Sequence, residues 1–320
     1  MKYVGITTQQ RRNNIRSLMF LAFFPLLLFA LLYIGCFVFY LCLSEDYDYY
    51  NSFLQANSLF LKFYPWCAAI LSVWFIIAYF MNTRIIDNAT GAHTLERKEN
   101  KRVYNLVENL CISCGMTMPK IHVIEDPALN AFASGINSKS YTVTLTRGII
   151  DALDDKELEA VVAHELTHIR NNDVRVLIIS IVFVGVFAVL AQFSMRLLLS
   201  GNRSRKGNNN GGGIVFVFLL VLILAAIGYS ISILMRFAIS RNREYMADAG
   251  ATSLTKDSTA LASALRKISG NSTLKKEQSE SVARLFIEHN PPRKGLKAAV
   301  ASLCATHPPI EKRIAILDQF

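Results

Sequence analysis

Charge is scarce in this 320-residue chain: Asp, Glu, Lys and Arg together make up 18% of it, against about 25% in an ordinary soluble domain. Acidic residues are the scarcer kind, 24 against 34 Lys and Arg, which leaves a formal net charge of +10. Little charge beside 52% hydrophobic residues excludes a disordered polymer, which needs the opposite balance. Six cysteines in such a long chain exclude a small disulfide scaffold. A mean hydropathy of +0.31 with a basic excess leaves a membrane protein or a nucleic-acid binder, and the apolar fraction favours the membrane.

The apolar residues are gathered into four uncharged runs, Leu18 to Leu43, Phe63 to Met81, Val176 to Met195 and Ile214 to Met235. Each approaches the roughly 20 residues that a helix needs to cross a bilayer. The first is too long for the apolar core of a signal peptide and has no small-residue cleavage site, so it reads as an anchor that stays. The second opens at Tyr64-Pro65.

Basic residues border these runs. Lys2, Arg11, Arg12 and Arg16 precede the first, and Arg84, Arg97, Lys98, Lys101 and Arg102 follow the second. The loop Ser44 to Lys62 instead carries Glu45, Asp46 and Asp48 with one Lys. The positive-inside rule puts the N-terminus and residue 84 onward in the cytoplasm and the acidic loop outside. The Gly/Asn-rich loop Gly201 to Gly213, with Arg203, Arg205 and Lys206, runs against that rule. Basic residues that flank spans form no single stripe, which argues against nucleic acid as a partner.

The polar remainder between the second and third runs reads as a folded α+β part. Val103, Leu106, Val107 and Leu110 recur with helical period in Leu95 to Cys114, and Gly115 is a helix stop. Three short strands follow, Ile121 to Glu125, Ala131 to Ser134 and Tyr141 to Thr146, the last a Thr/Val alternation expected of a half-exposed strand. Cys111 and Cys114 form a CxxC with no second pair to complete a thiolate zinc site, so a structural role is expected. Asp154 and Glu157 make a capping-box-like start to the next helix.

That helix carries His164-Glu165-Leu166-Thr167-His168. Two His four residues apart lie about 40° apart around a helix, so both imidazoles can reach one ion. The intervening Glu165 then faces the open position of the metal as general base instead of ligating it. A hydrolytic zinc site needs a third protein ligand. Glu244 in Glu244-Tyr245-Met246-Ala247-Asp248 is the candidate, with Asp248 one turn on to brace His164. If the helices bearing His168 and Glu244 continue into the third and fourth runs, both half-sites stand about 12 Å beyond a membrane boundary. They meet only if those runs cross an even number of times.

With these motifs the chain resembles the HtpX-like membrane zinc metalloproteases, relatives of the CAAX prenyl proteases. The resemblance rests on the HELTH motif, Arg243 to Asp248, Asn130-Ala131-Phe132-Ala133-Ser134-Gly135, and Thr306-His307-Pro308-Pro309 with Arg313-Ile314, and it covers essentially the whole length. It implies an α-helical membrane protein with four transmembrane helices and a cytoplasmic α+β gluzincin-type zinc protease domain containing a small sheet. It implies one zinc ion per subunit, endopeptidase activity on misfolded membrane proteins, and a place in quality control at a bacterial inner membrane.

The resemblance also makes Asn130, Ala131, Phe132 and Ala133 part of an active-site edge strand that binds substrate, and His307 a stabiliser of the transition state. Arg313 either assists there or forms a salt bridge. The expected division is 1–83 for the tail and first two spans, 84–175 for the catalytic part with HELTH, 176–240 for the second hairpin and 241–320 for the part with the third ligand. His93, His122 and His289 are expected to be structural or surface residues, and the polar loop Ser269 to Ser281 a linker, with a gate over the site as the alternative. A zinc-stabilised membrane scaffold without turnover is the rival reading. Glu165, which has no structural duty, argues against it.

Overall fold

The computed structural model describes residues 6–44, 48–201, 211–269 and 309–319. His307, Cys304, His289, residues 45–47, residues 202–210 of the loop Gly201 to Gly213 and the loop Ser269 to Ser281 beyond Ser269 lie outside them. The chain forms two compact units, one of Met1–Arg16, Tyr79–Ile178 and Phe237–Phe320, the other of Ser17–Ala78 and Ile179–Arg236.

The second unit is made of parts of four long helices, α1 (Ile6–Leu43), α2 (Tyr49–Thr90), α6 (Asp173–Gly201) and α7 (Gly211–Thr255). Each holds a segment long and apolar enough to cross a membrane: Gln10–Leu43, Tyr49–Met81, Asp173–Leu199 and Val215–Ile233. Few residues in the first two segments are buried, as expected of helices whose apolar faces meet lipid and not a protein core. Within this unit Phe24 of α1 stacks on Phe183 of α6 at 4.7 Å, and Gly35 lets Leu224 of α7 approach.

The expected loop from Ser44 to Lys62 is mostly helix. Asp48 accepts hydrogen bonds from the backbone N–H groups of Tyr50 and Asn51 and so starts α2 at Tyr49, fourteen residues before the expected run. Pro65 lies inside α2, a position that membrane helices tolerate better than soluble ones.

The first unit is built on a four-stranded sheet of order β1-β2-β4-β3, from β1 (His93–Thr94), β2 (Lys120–Ile124), β3 (Ala131–Ser134) and β4 (Thr142–Thr146). β2 and β4 run parallel, in register Ile121 to Val143; β3 pairs antiparallel with β4, Phe132 opposite Thr144. The threonines of β4 are buried, contrary to the half-exposed strand expected, because both faces of the sheet are covered here; the edge strand β3 is buried throughout as well. Thr146 Oγ1 donates to the Ala128 carbonyl and accepts from the Asn130 N–H, and Thr142 pairs with Ser134, so these two hydroxyls are satisfied without water, whereas that of Thr144 is buried without a hydrogen bond.

Two helix boundaries have local causes. α3 (Lys101–Cys114) begins six residues later than expected, where the Asn100 side chain accepts from Val103 N–H, and it ends at Gly115 in the left-handed region at φ 65°. Short α4 (Arg147–Ala152) is followed by α5 (Asp155–Arg170), which opens with a full capping box between Asp154 and Glu157. α5 packs on β3, on α3 and on α8 (Ser258–Ile268), and α9 (Ile310–Leu317) packs on α8. The helix of HELTH does not run on into the third apolar run. It stops at Arg170, and Asn172 takes φ 59° before α6 starts at Asp173. That break sets Asp173 beside His168.

Candidate metal centre

α5 is buried along nearly its whole length from Leu158 to Thr167, so the two histidines of HELTH project into protein. Their Nε2 atoms lie 3.2 Å apart. Glu244 of α7 brings one carboxylate oxygen to 3.7 Å from His164 Nε2 and the other to 3.6 Å from His168 Nε2. A ligand atom from each of the three residues lies within 4.8 Å of the others.

The other ring nitrogens are spoken for. His164 Nδ1 is 3.0 Å from Asp248 Oδ1, and His168 Nδ1 is 3.0 Å from Asp173 Oδ2. An ionised carboxylate only accepts, so each Nδ1 carries a proton, and an ion held between the rings would take the Nε2 lone pairs. Two imidazole nitrogens 3.2 Å apart, faced by a carboxylate, form a donor set that a cation would close. Two imidazole nitrogens and one carboxylate are the donor types that a three-ligand hydrolytic zinc site takes. The donor set fits the ion.

Asp248 thus reaches the ring that its spacing suggested. Asp173 escaped the sequence reading, since its contact depends on the reversal at Asn171-Asn172; the only cue was that paired Asn break ahead of the third apolar run. Arg243 Nη1 donates to the Asp173 carbonyl at 3.2 Å, which links the residue before Glu244 to the one that holds His168.

Arg313 of α9 is 1% exposed. Its Nη2 and Nε donate to the two Asp248 oxygens at 2.7 and 2.9 Å, and it stands 3.8 Å from Glu244 and 3.5 Å from His164 Nε2. The salt bridge left open by the sequence is present, and it lies at the ligand cluster itself. Burial pushes the Asp248 carboxyl up, but the Arg313 guanidinium and the His164 ring overcome it and hold it at about 2. Burial pulls the His164 ring down, but hydrogen bonds to Asp248 and Glu244 outweigh it and raise the metal-free ring to about 9. Arg313 is held charged against its burial by Asp248, Glu244 and the nearby Glu165.

Glu165 is buried at 3% exposure next to His164 on α5. Asn130, Ala131, Phe132 and Ala133 are buried on or just before β3, the outer strand of the sheet on which α5 packs. His93 faces Glu125 at 3.7 Å. His122 bonds Asp87 at 2.9 Å, apart from the cluster. Cys111 and Cys114 are free thiols on α3, and burial pushes Cys111 up to about 12, the state of an inert core thiol. Among the described residues His164, His168 and Glu244 are the one group of three or more His, Cys, Asp or Glu side chains close enough to share an ion.

Residues 97–320 match Peptidase family M48. The chain is 56% identical to a Protease HtpX homolog of Bacteroides fragilis over the whole of both proteins. It is 41% identical to a Protease HtpX homolog of Dictyoglomus thermophilum, over 77% of this chain and 78% of that one. Among solved structures, it is similar to the crystal structure of Ste24p from S. mikatae, at 22% identity and a TM-score of 0.44, over 97% of this chain and 66% of that one.

Proposed function

The chain belongs to peptidase family M48, and from that premise we propose that it is a membrane-bound, zinc-dependent endopeptidase that removes misfolded membrane proteins. The observation that carries the reading is the pair of inward-facing Nε2 atoms closed by the Glu244 carboxylate, each imidazole locked from behind by its own Asp. His164, His168 and Glu244 would hold the ion. Zinc bound there supplies Lewis acidity, which brings the pKa of a water toward neutrality and polarises a carbonyl.

The remaining work falls to the protein. Glu165 takes a proton from the attacking water and passes it to the leaving amine, a task for a carboxylate held close to the ligands on the same helix turn. Asp248 and Asp173 keep His164 and His168 in the Nδ1–H form. Arg313 neutralises Asp248 and adds positive charge beside the scissile carbonyl. His307, on the resemblance alone, stabilises the oxyanion. Asn130 to Ala133 bind an extended substrate as an added strand, by backbone hydrogen bonds that ignore side-chain sequence. Such recognition suits a quality-control enzyme, whose substrates share exposed backbone and little else.

The basic flanks of the first two apolar runs support a cytoplasmic site, and the bacterial relatives support the inner membrane. The test is metal content together with cleavage of casein and of a detergent-solubilised membrane protein. Wild type should hold about one zinc per chain and cut in a chelator-sensitive way. Glu165→Gln should keep the zinc and lose cleavage, and Glu244→Ala should lose the zinc. A Glu165→Gln protein that still cuts, or a Glu244→Ala protein with full zinc content, overturns the assignment.

A further inference from the structure

Asn13, on the stretch of α1 that belongs to the first unit, is 0% exposed. Its Nδ2 donates to Asp173 Oδ1 at 2.6 Å and to the Asn171 carbonyl at 2.8 Å, and its Oδ1 accepts from Arg16 Nη1 at 3.2 Å. These three partners fix which way the amide faces. Turned over, it would set its NH2 against a guanidinium and its oxygen against a carboxylate and a carbonyl, like against like throughout. Both amide protons are therefore committed to the turn between α5 and α6.

Asp173 is thereby held at both oxygens, Oδ1 by Asn13 and Oδ2 by His168 Nδ1 at 3.0 Å. A carboxylate bonded at one oxygen only can swing about its Cβ–Cγ bond and take the imidazole with it. Pinned at the other oxygen, it gives His168 one orientation and one tautomer. The same turn is tied to α1 by two further bonds, Gln10 Nε2 to the Arg170 carbonyl at 2.7 Å and Asn172 Nδ2 to Asn14 Oδ1 at 3.2 Å. Neither touches Asp173.

We propose that Asn13 is a positioning residue of the metal centre: by clamping Asp173 it sets the tautomer and aim of His168, so that the N-terminal stretch of α1 is part of the metal-binding apparatus. The proposal rests on reading His164, His168 and Glu244 as ligands.

The experiment uses the full-length protein in detergent, as wild type, Asn13→Ala and Gln10→Ala, with zinc affinity read by chelator competition. Asn13→Ala should weaken zinc about tenfold or more, while Gln10→Ala, which loosens the same helix contact without touching Asp173, should stay within about twofold of wild type. A second readout needs no metal. The 15N shifts of the His168 ring should report one Nδ1–H tautomer in wild type and Gln10→Ala, and a mixture in Asn13→Ala. Unchanged affinity and tautomer in Asn13→Ala, or an equal loss in Gln10→Ala, overturns the proposal. Should Asn13→Ala fail to fold, Asn13→Asp keeps the shape but opposes Asp173 with a second carboxylate, and wild-type affinity in that variant also overturns it. A wild type that takes up no zinc sinks the ligand reading and this proposal together; zinc bound equally by wild type and variant sinks this proposal alone.

Discussion

Gly250 of α7 lies so near Thr167 of α5 that a methyl group built on the glycine would come 2.4 Å from Thr167 Cγ2. Thr167 cannot swing aside freely, because its hydroxyl donates to the Ala163 carbonyl at 2.8 Å and its surroundings are fully packed. Ala247 and Ala251 on α7 are likewise 0% exposed, so small residues set how closely the helix of Glu244 approaches the helix of the two histidines. Gly250→Ala should push these helices apart, destabilise the protein by about 1–3 kcal/mol and weaken zinc binding. Thermal melting and chelator competition read both. Unchanged values would mean that the approach is not tight.

Removing the charge of Asp248 should do more. Asp248→Asn takes from buried Arg313 its hydrogen-bonded counter-ion and leaves Glu244 at 3.8 Å, at a cost of about 3–5 kcal/mol, and offers His164 Nδ1 an amide that can face it with either end. Zinc affinity should fall about 10–100-fold. Denaturant melts and metal competition on the same preparation measure the two effects, and an Asn variant with native affinity would show that His164 needs no carboxylate behind it.

Protons and metal compete for His164. In the metal-free protein the ring is raised from 6.5 to about 9. The stability from the protonated ring is therefore fully present below pH 6.5 and is lost as pH rises through about 9. An incoming ion must expel that proton anywhere in this window, so zinc affinity should climb by about tenfold per pH unit from pH 6.5 and level off near 9. Calorimetry in two buffers of different ionisation enthalpy should count close to one proton released per ion at pH 7.5. A pH-independent affinity across this range would contradict it.

Glu157 supplies a pH dependence away from the cluster. Burial pushes its carboxyl up, but bonds from Lys267 at 2.6 Å and Ser263 at 2.7 Å, with the Asp154 N–H, pull it below its ordinary 4.5. A depressed carboxylate stabilises the fold above the unfolded value and loses that stabilisation as pH falls through the lowered one. Glu157→Gln should thus cost about 1–3 kcal/mol at pH 7, and the gap to wild type should close in melts taken progressively below pH 4.5. A gap that persists in acid would trace to packing and not to charge.

The parts of the site that could be read from the sequence are those carried by short spacings. His164 and His168 are one helical turn apart, as are Glu244 and Asp248, so a helix assignment alone puts each pair on one face. The four apolar runs could be read for the same reason, since length and absence of charge are local properties. Asp173 and Asn13 could not. The first acts through a reversal at Asn172, and the second through a contact across 160 residues. The threonines of β4 look half-exposed until the packing of the whole unit covers both faces of the sheet. Pro65 misleads in the opposite way, because the proline that ends most helices sits inside α2.

His168 and Glu244 are 76 positions apart in the chain, from 168 to 244, and Arg313 comes later still. A ribosome makes the chain N-terminus first at about 5–20 residues per second, so HELTH exists for several seconds before its third partner is synthesised. During that interval the second pair of apolar segments must be made and laid in place. His164 and His168 therefore meet Glu244 only after both later apolar runs have been synthesised.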